Sequence, residues 1–340
     1  HIAYKNEQEL TIELKQYKSR IHLVGADNAD ALRGITISFL VVDEIQNIPL
    51  SMLDTIVLPA MSDQKADAIY IGTPLGKGNN TAYQLYMRGK TVKNWKSWHF
   101  TTADGGNVDP EEIEAAKAVM SPKQFEQEFL ASFTTMQGRV YYNFDMEASI
   151  DDTIEDLGRP LHIGLDFNVG KMCAVICQEV GDDVEIIDEV ILIDSNTREM
   201  CQTIKDRYPD RQITIYPDPS GKARKTSANA GQTDFSIITD REYGFEFDLC
   251  AKLKHPPVVD RINNVNAMLM DANGTRRIKI SPKAKEMIKC LDGQVYKEGT
   301  NKPDKDGGLD HQNDALGYYI DYNFDMIKRE VRALTLNWAY

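Results

Sequence analysis

Three aspartates in the second half of the sequence stand where apolar patterns stop, and together they could support metal-dependent hydrolysis. Asp166 ends the stretch HIGLD, Asp218 ends ITIYPD, and Asp314 lies within the helix-like DHQNDALGYYI. Hard divalent cations prefer oxygen ligands, and two ions about 3.5–4 Å apart can activate water and stabilise a leaving oxygen. The three residues therefore predict a phosphodiesterase site for one or two divalent cations, although any one of them could be an ordinary strand-end or helix-cap residue.

Two residues close to Asp314 extend this set. His311 lies three positions before it, so a helix would place both side chains on one side, where the histidine could position water or join the metal site. Asp310 lies four positions before Asp314 and is a fourth candidate ligand, but it also fits the N-cap position of the same helix. Clustered carboxylates without metal repel one another, so at least one should have a raised pKa. Alanine at any of the three aspartates should then leave the metal-free protein no less stable.

A loop rich in basic residues follows Asp218. The stretch PDPSGKARKTS contains Lys222, Arg224 and Lys225, which beside a metal site could hold a DNA backbone, while a solvated turn is the alternative. The net charge of −13 argues against a protein that coats nucleic acid generally. Acidic residues are concentrated between positions 109 and 156, whereas positions 222–289 carry an excess of lysine and arginine. The charge distribution thus allows one DNA-binding face in the second half.

The first half contains a second group of residues suited to phosphate chemistry. In FLVVDE an apolar strand ends in Asp43 and Glu44, the pattern of a Walker B element in which the aspartate holds Mg²⁺ and the glutamate polarises water. Thr73 in IYIGTP could sense a γ-phosphate, and Arg33 in ALRG could reach a nucleotide on a neighbouring subunit. The alternatives are a solvated strand end for Asp43 and Glu44, a plain turn for Thr73 and an ordinary surface position for Arg33. The phosphate-binding pattern GxxxxGK[ST] is absent from these residues, so a complete ATP site would need a segment before His1.

The elements that must carry these residues follow from the apolar patterns. Short apolar runs occur at 20–25, 39–42 and 68–72, and a helical pattern lies between the last two. This order predicts parallel β-α-β units. After an acidic, weakly periodic stretch, the pattern of the second half predicts three strands, with GDD as a hairpin turn between the last two, then a helix and a fourth strand. This order is typical of an RNase H-like core.

The predicted fold class is α/β: the C-terminal part of a P-loop ATPase parallel sheet, followed by an RNase H-like nuclease domain with a mixed sheet. The predicted divisions are a partial ATPase domain at 1–135, an acidic linker at 136–159 and the nuclease domain at 160–340. No apolar run approaches the roughly 20 residues that a membrane span needs, so no membrane partner is expected. The five cysteines form no CxxC pair, which favours reduced, buried thiols.

Taken in order, these motifs resemble those of the large subunit of tailed-bacteriophage terminases, the DNA-packaging motors. The resemblance covers nearly the whole chain and rests on ALRG, FLVVDE, IYIGTP, FEQEFLASF, HIGLDFN, YPDPSGKARKTS, VVDRINNVNAML and DHQNDALGYYI. It implies roles in nucleotide handling for four positions: the Walker B pair Asp43 and Glu44, the coupling residue Thr73 and the trans-acting Arg33. It implies roles in DNA cleavage for four more: the metal ligands Asp166, Asp218 and Asp314, and the nearby His311.

The resemblance also implies an activity, cofactors and partners. These are a nuclease that uses Mg²⁺ or Mn²⁺ to cut concatemeric double-stranded DNA, and a translocation motor that uses ATP with Mg²⁺ in the full-length protein. The implied partners are double-stranded DNA, the portal protein, the small terminase subunit and further copies in a packaging ring, with a monomer expected for the chain alone. The implied location is the host cytoplasm, transiently on the procapsid.

The sequence departs from the family pattern in two respects. One is the absent phosphate loop, and the other is Gly317, where many members carry an arginine. Two other functions stay open at this point. One is a different RNase H-like nuclease, such as a junction resolvase or integrase, which the first-half motifs disfavour. The other is a non-catalytic assembly protein that docks on a portal, which the retained aspartates disfavour.

Overall fold

The chain forms two compact units in a computed structural model. The first consists of His1–Thr101 with Leu130–Thr135, and the second of Thr102–Phe129 with Met136–Tyr340. The structure describes residues 2–15, 19–26, 32, 34–74, 80–133, 138–152, 155–168, 170–223, 232–240, 243, 245, 250, 252, 255–297 and 300–324. Among these residues, no helix has the length and apolar character needed to cross a membrane.

The first unit begins with a small antiparallel sheet. Its strands are β1 (Ile2–Asn6), β2 (Thr11–Leu14) and β3 (Arg20–His22), in the order β1-β2-β3. The expectation that the run at 20–25 joins the parallel β-α-β units is wrong, because β3 pairs antiparallel with β2. All three residues of β3 are exposed, so its short apolar run does not have the buried position that a central parallel strand requires.

The predicted β-α-β unit follows. Strands β4 (Phe39–Val42) and β5 (Asp67–Tyr70) pair in parallel, with Val42 opposite Tyr70 at their carboxyl ends. The connection contains α1 (Leu50–Met52), a π-helical turn at Leu53–Val57 and α2 (Leu58–Ser62), and α3 (Thr81–Thr91) comes after β5. One face of the strand pair packs with the helices on an apolar core whose buried members include Ile45, Leu53, Val57, Met61 and Leu85.

The second unit begins with short helices. They are α4 (Thr102–Gly105), α5 (Pro110–Val119), α6 (Pro122–Glu128) and α7 (Met146–Ser149). Asp109 caps α5 by accepting a hydrogen bond from the backbone N–H of Glu111, and Ser121 caps α6 by accepting one from Gln124. A capping side chain followed by proline thus begins each of these two helices.

The described part of the expected linker is packed into this second unit. Val140 and Phe144 are buried in its core, and the Asn143 side chain donates hydrogen bonds to the carbonyls of Asn266 and Met270. Residues 102–129 also belong to the second unit, since the backbone N–H of Ala272 bonds to the carbonyl of Met120. The compact units therefore divide the chain differently from the predicted domains, because the acidic stretch carries aromatic and apolar side chains that the core buries.

A five-stranded mixed sheet forms the centre of the second unit. Its strands are β6 (Leu161–Asp166), β7 (Lys171–Val180), β8 (Asp183–Ile193), β9 (Ile213–Pro217) and β10 (Ile278–Ile280), in the order β10-β8-β7-β6-β9. The β6-β7 and β7-β8 pairs are antiparallel, whereas β9 and β10 pair in parallel with β6 and β8. This is the predicted RNase H-like order of three antiparallel strands, a helix and a further strand.

Two apolar cores are associated with the sheet. One includes buried residues of α8 (Thr197–Arg207) and α9 (Asp234–Ile238). The other includes residues of α10 (Val258–Leu269), α11 (Lys285–Gly293) and α12 (His311–Asn323). The helix α12 contacts β6, β7 and β9, so it carries its side chains to the strands on which two of the candidate aspartates lie.

Candidate functional site

Two of the candidate aspartates follow neighbouring parallel strands. Asp166 is the last residue of β6, and Asp218 comes directly after β9. The strands are in register with Leu165 opposite Pro217, and the backbone N–H of Asp218 donates to the carbonyl of Leu165 at 2.9 Å. Both aspartates are buried, with exposed fractions of 7% and 8%. The parallel pairing thus places these carboxylates at the same edge of the sheet.

Helix α12 lies directly against β6 because of a glycine. A Cβ built at Gly164 would clash with the carbonyl oxygen of Ala315, so only glycine permits this approach of helix and strand. At this close contact, the Nδ1 atom of His311 lies 3.0 Å from Asp166 Oδ2. Asp314, one turn further along α12, is partly buried.

In this structure each carboxylate is paired with at least one basic side chain. Asp166 pairs with His311, and Asp218 Oδ1 lies 3.3 Å from His255 Nε2. Asp314 has two partners: Arg261 Nη2 is 3.1 Å from its Oδ1, and Lys305 Nζ is 3.2 Å from its Oδ2. Each of the three aspartates therefore has a basic side chain within 3.3 Å, and the partners of Asp314 are the permanently charged Arg261 and Lys305.

The pKa values of two site residues reflect these surroundings. Burial raises the pKa of the Asp166 carboxyl, the hydrogen bond from His311 opposes that shift, and the nearby charges of Asp314 and Asp218 add to it. The same hydrogen bond raises the pKa of His311. The raised pKa expected for at least one carboxylate is thus found at Asp166, with desolvation as its main cause and repulsion as a smaller one.

Asp310 occupies the N-cap position of α12, which the sequence offered as the alternative to a metal-ligand role. Its side chain makes no capping hydrogen bond. It is 5% exposed, its Oδ2 lies 3.0 Å from Lys305 Nζ, and its buried Oδ1 has no hydrogen-bond partner. A buried carboxylate oxygen without a partner is costly. This oxygen is therefore a further potential ligand beside Asp314.

The donor types suit a hard divalent cation, although the side chains are not gathered around one. Carboxylate oxygens at the ends of β6 and β9 and on α12 are the ligands that Mg²⁺ and related ions prefer. Across the part of the chain that the structure describes, no three histidine, cysteine, aspartate or glutamate side chains form a ready-made metal site. Cation binding would thus require Asp314 to exchange a basic partner for metal.

Sequence reasoning missed several basic and polar residues that touch these carboxylates or His311. They are Asn168, His255, Arg261 and Lys305. The helical pattern could have revealed Arg261, because it lies four positions before the buried Val265 on α10, where a charged side chain needs a partner. His255 and Lys305 lie outside helices and strands, where apolar periodicity gives no signal.

Of the three basic residues expected to hold DNA, one is described by the structure. Lys222 is the exposed last residue of a short 3₁₀ helix, Pro219–Lys222, that starts directly after Asp218. Asp218 caps this helix by accepting a hydrogen bond from the backbone N–H of Ser220. Arg224 and Lys225 lie outside the described residues.

The nucleotide-site candidates of the first unit lie at the carboxyl ends of β4 and β5. Asp43 and Glu44 are exposed just after β4, and Thr73 is partly buried three residues after β5. Glu44 has a left-handed backbone conformation (φ 53°), and its carboxylate accepts a hydrogen bond from the Gln46 side chain. The parallel pairing therefore brings the two acids and the threonine to one edge, while Arg33 lies outside the described residues.

Comparison with known proteins finds similarity over part of the chain. The family model described as "Terminase large subunit, T4likevirus-type, N-terminal" matches residues 1–148. The large terminase subunit of Escherichia phage T5 is 28% identical over 152 residues, and that of Thermus phage G20c is 29% identical over 139 residues. Over these matched lengths the chain is similar to phage large terminase subunits.

The matched part is a minority of this chain and of each relative. It covers 44% of this chain and 34% of the T5 terminase, and 36% of this chain and 28% of the G20c terminase. The chain therefore matches about a third of the length of these curated relatives.

The fold is similar to that of a solved protein over a longer span. The large terminase of a thermophilic bacteriophage superposes with a TM-score of 0.68, covering 95% of this chain and 79% of that one at 18% identity. At this identity the likeness shows the fold. The predicted fold class, an ATPase-type parallel sheet followed by an RNase H-like mixed sheet, is confirmed.

Proposed function

We propose that this chain is the nuclease-bearing part of a terminase large subunit and cuts concatemeric double-stranded DNA with the help of divalent cations. One observation carries the proposal. Adjacent parallel strands carry Asp166 and Asp218 at one edge of the mixed sheet, and α12, which lies against β6, contacts Asp166 through His311 and carries Asp314 one turn further on. The match of residues 1–148 to the terminase family model supports the assignment to a terminase large subunit.

In this proposal Asp166, Asp218 and Asp314 hold Mg²⁺ or Mn²⁺, with Asp310 as a further ligand. A bound divalent cation lowers the pKa of its water and neutralises charge on the cleaved phosphate. The chain's own contribution is to position its carboxylates. His311 keeps Asp166 oriented through its Nδ1 contact, and the hydrogen bond to Asp166 raises the pKa of the imidazole. Lys222, Arg224 and Lys225 are proposed to hold the DNA backbone.

We assign the first unit to the nucleotide-driven part of the machine. In this assignment Asp43 would hold the Mg²⁺ of ATP, Glu44 would polarise the attacking water, Thr73 would couple hydrolysis to movement, and Arg33 would act across subunits. The shared carboxyl edge of β4 and β5 supports this assignment for the first three residues. The thermophilic-phage terminase that shares the fold has also been solved in complex with ADP.

The proposed partners follow from the same relationship. They are double-stranded DNA, a portal protein, the small terminase subunit and other copies of the subunit in a ring during packaging, with the isolated chain a monomer. The proposed place of action is the host cytoplasm, transiently on the procapsid.

One observation favours a second candidate, a non-catalytic assembly protein that docks on a portal. Every candidate carboxylate is already paired with a basic side chain, and within the described ranges no ready-made metal site exists. A site that had lost its metal could be stabilised in this way. The match of residues 1–148 to terminases counts against a junction resolvase or integrase, which would not need the first unit.

Cleavage of supercoiled plasmid DNA with Mn²⁺ or Mg²⁺ separates these candidates. Wild type should nick and linearise the plasmid, Asp166→Ala should lower the rate by orders of magnitude, and both should bind the same DNA in a gel-shift assay. Asp183→Ala, at the exposed start of β8, is the matched control and should cut like wild type. If wild type bound DNA but showed no cation-dependent cleavage, the non-catalytic candidate would be favoured.

A further inference from the structure

We infer that Arg261 is a positioning residue for Asp314, and that Gly317 leaves the space this arginine needs. The inference rests on the proposed nuclease function and adds a residue to it. Arg261 comes from α10, a helix that carries none of the candidate ligands.

The surroundings of Arg261 hold its guanidinium in one place. Its side chain is 7% exposed, with Nη2 3.1 Å from Asp314 Oδ1 and Nη1 3.5 Å from the Asp314 carbonyl oxygen. The guanidinium also lies 4.4 Å from the ring centre of Tyr318, the residue after Gly317. A cation–π contact together with a forked contact to one residue is a geometry that arginine provides and lysine does not. Arg261 thus contacts both the side chain and the backbone of Asp314.

Gly317 determines whether this arrangement fits. It lies one turn after Asp314, and a Cβ built there would be 3.7–3.8 Å from Arg261 Cβ, Cδ and Nη1, which is ordinary contact distance. Alanine is therefore tolerated, whereas a longer side chain would enter the volume that Arg261 fills. The glycine at this position thus leaves room for the arginine that packs over it.

The two basic partners of Asp314 differ in their freedom to leave. Lys305 has a side chain that is 54% exposed and lies outside helices and strands, so it can turn towards solvent and leave to a cation the oxygens of Asp314 and Asp310 that it now contacts. Arg261 is buried on a helix and cannot withdraw without leaving a buried charge unpaired. Asp314 Oδ2 is therefore the oxygen available to a cation, while Arg261 stays on Oδ1 and fixes the direction of the carboxylate.

The test is calorimetric titration of the folded, metal-free chain with Mn²⁺ alone, with melting temperature measured on the same samples. Outer-sphere partners of metal ligands typically change metal affinity about 10–100-fold, so Arg261→Ala should weaken Mn²⁺ binding by at least about 10-fold. Arg261→Lys retains a charge but not the forked contact, and it should also weaken binding. Gly317→Ala should bind Mn²⁺ like wild type, and Gly317→Leu should bind it weakly.

The matched control is Arg277→Ala. Arg277 pairs at 3.0 Å with Asp271, a carboxylate whose side chain is 1% exposed, so this variant breaks a buried pair elsewhere in the second unit. It should melt at lower temperature with unchanged Mn²⁺ affinity. Should Arg261→Ala fail to fold, Arg261→Lys decides the question instead. Wild-type Mn²⁺ affinity in a folded Arg261 variant overturns this inference, whereas a wild type that neither binds Mn²⁺ nor cuts DNA overturns the proposed function itself.

Discussion

Asp314 and Asp166 are neighbouring carboxylates whose surroundings predict different responses to neutralisation. Asp314→Asn leaves the buried Arg261 without its ionic partner, which should lower the unfolding free energy of the metal-free protein by about 3–5 kcal/mol. Asp166→Asn removes a charge whose burial already raises its pKa, so stability should stay equal or increase. Urea denaturation in EDTA measures both. Equal losses of unfolding free energy in the two variants would contradict this expectation. The sequence alone predicted no loss of stability at either position.

His162 on β6 gives the second unit a pH dependence that is separate from the candidate site. Burial lowers the pKa of this histidine, with the nearby Glu179 opposing the shift, and its Nδ1 lies 2.9 Å from the Tyr216 hydroxyl. Because the folded pKa lies below the unfolded value of about 6.5, the unfolded state takes up the proton first as pH falls. Stability should be fully present above that value and decline below it. Between pH 5 and 8 the difference in melting temperature between wild type and His162→Gln should follow this slope, because His311, whose pKa is raised, contributes the opposite dependence to both proteins.

At the scale of elements, the contact between β6 and α12 sets the site. Gly164→Ala would force the Cβ against the Ala315 carbonyl, so α12 must shift and move His311 and Asp314 away from Asp166. Overpacking of this kind costs about 1–3 kcal/mol or more. Chemical denaturation and plasmid cleavage should therefore both show losses. Gly307→Ala, whose Cβ would be 3.8 Å from Leu309, is the control, and a Gly164→Ala protein with wild-type activity would show that this contact is not needed.

Much of this arrangement was predictable from local patterns. Apolar runs that stop at charged residues predict where two strands end, at Asp166 and Asp218, and where α12 begins. The packing of residues 138–152 was not predictable, because it depends on contacts with distant parts of the chain. The pairing of β3 with β2 is local, but β2 was not among the predicted strands. The same reason applies to Arg261, since the sequence shows a charged residue on α10 but not its partner on another helix.

At the scale of the whole molecule, the two units carry different parts of the proposed machine. The phosphate-binding pattern is absent from these 340 residues, so this polypeptide should turn over ATP negligibly while cutting DNA without nucleotide. A coupled ATPase assay beside plasmid cleavage checks both points. Robust ATP turnover by this polypeptide would require a phosphate-binding mode that its sequence does not indicate.

The most direct test of the central claim is a crystal structure of this chain soaked with Mn²⁺, with data collected for anomalous scattering. The account predicts a manganese peak at the carboxyl ends of β6 and β9, bound by oxygens of Asp166, Asp218 and Asp314, with Lys305 displaced and Arg261 still on Asp314. The contrary result would be a map with no manganese at this position at a Mn²⁺ concentration that supports cleavage. In that map His255, Arg261, Lys305 and His311 would all still be paired with the aspartates.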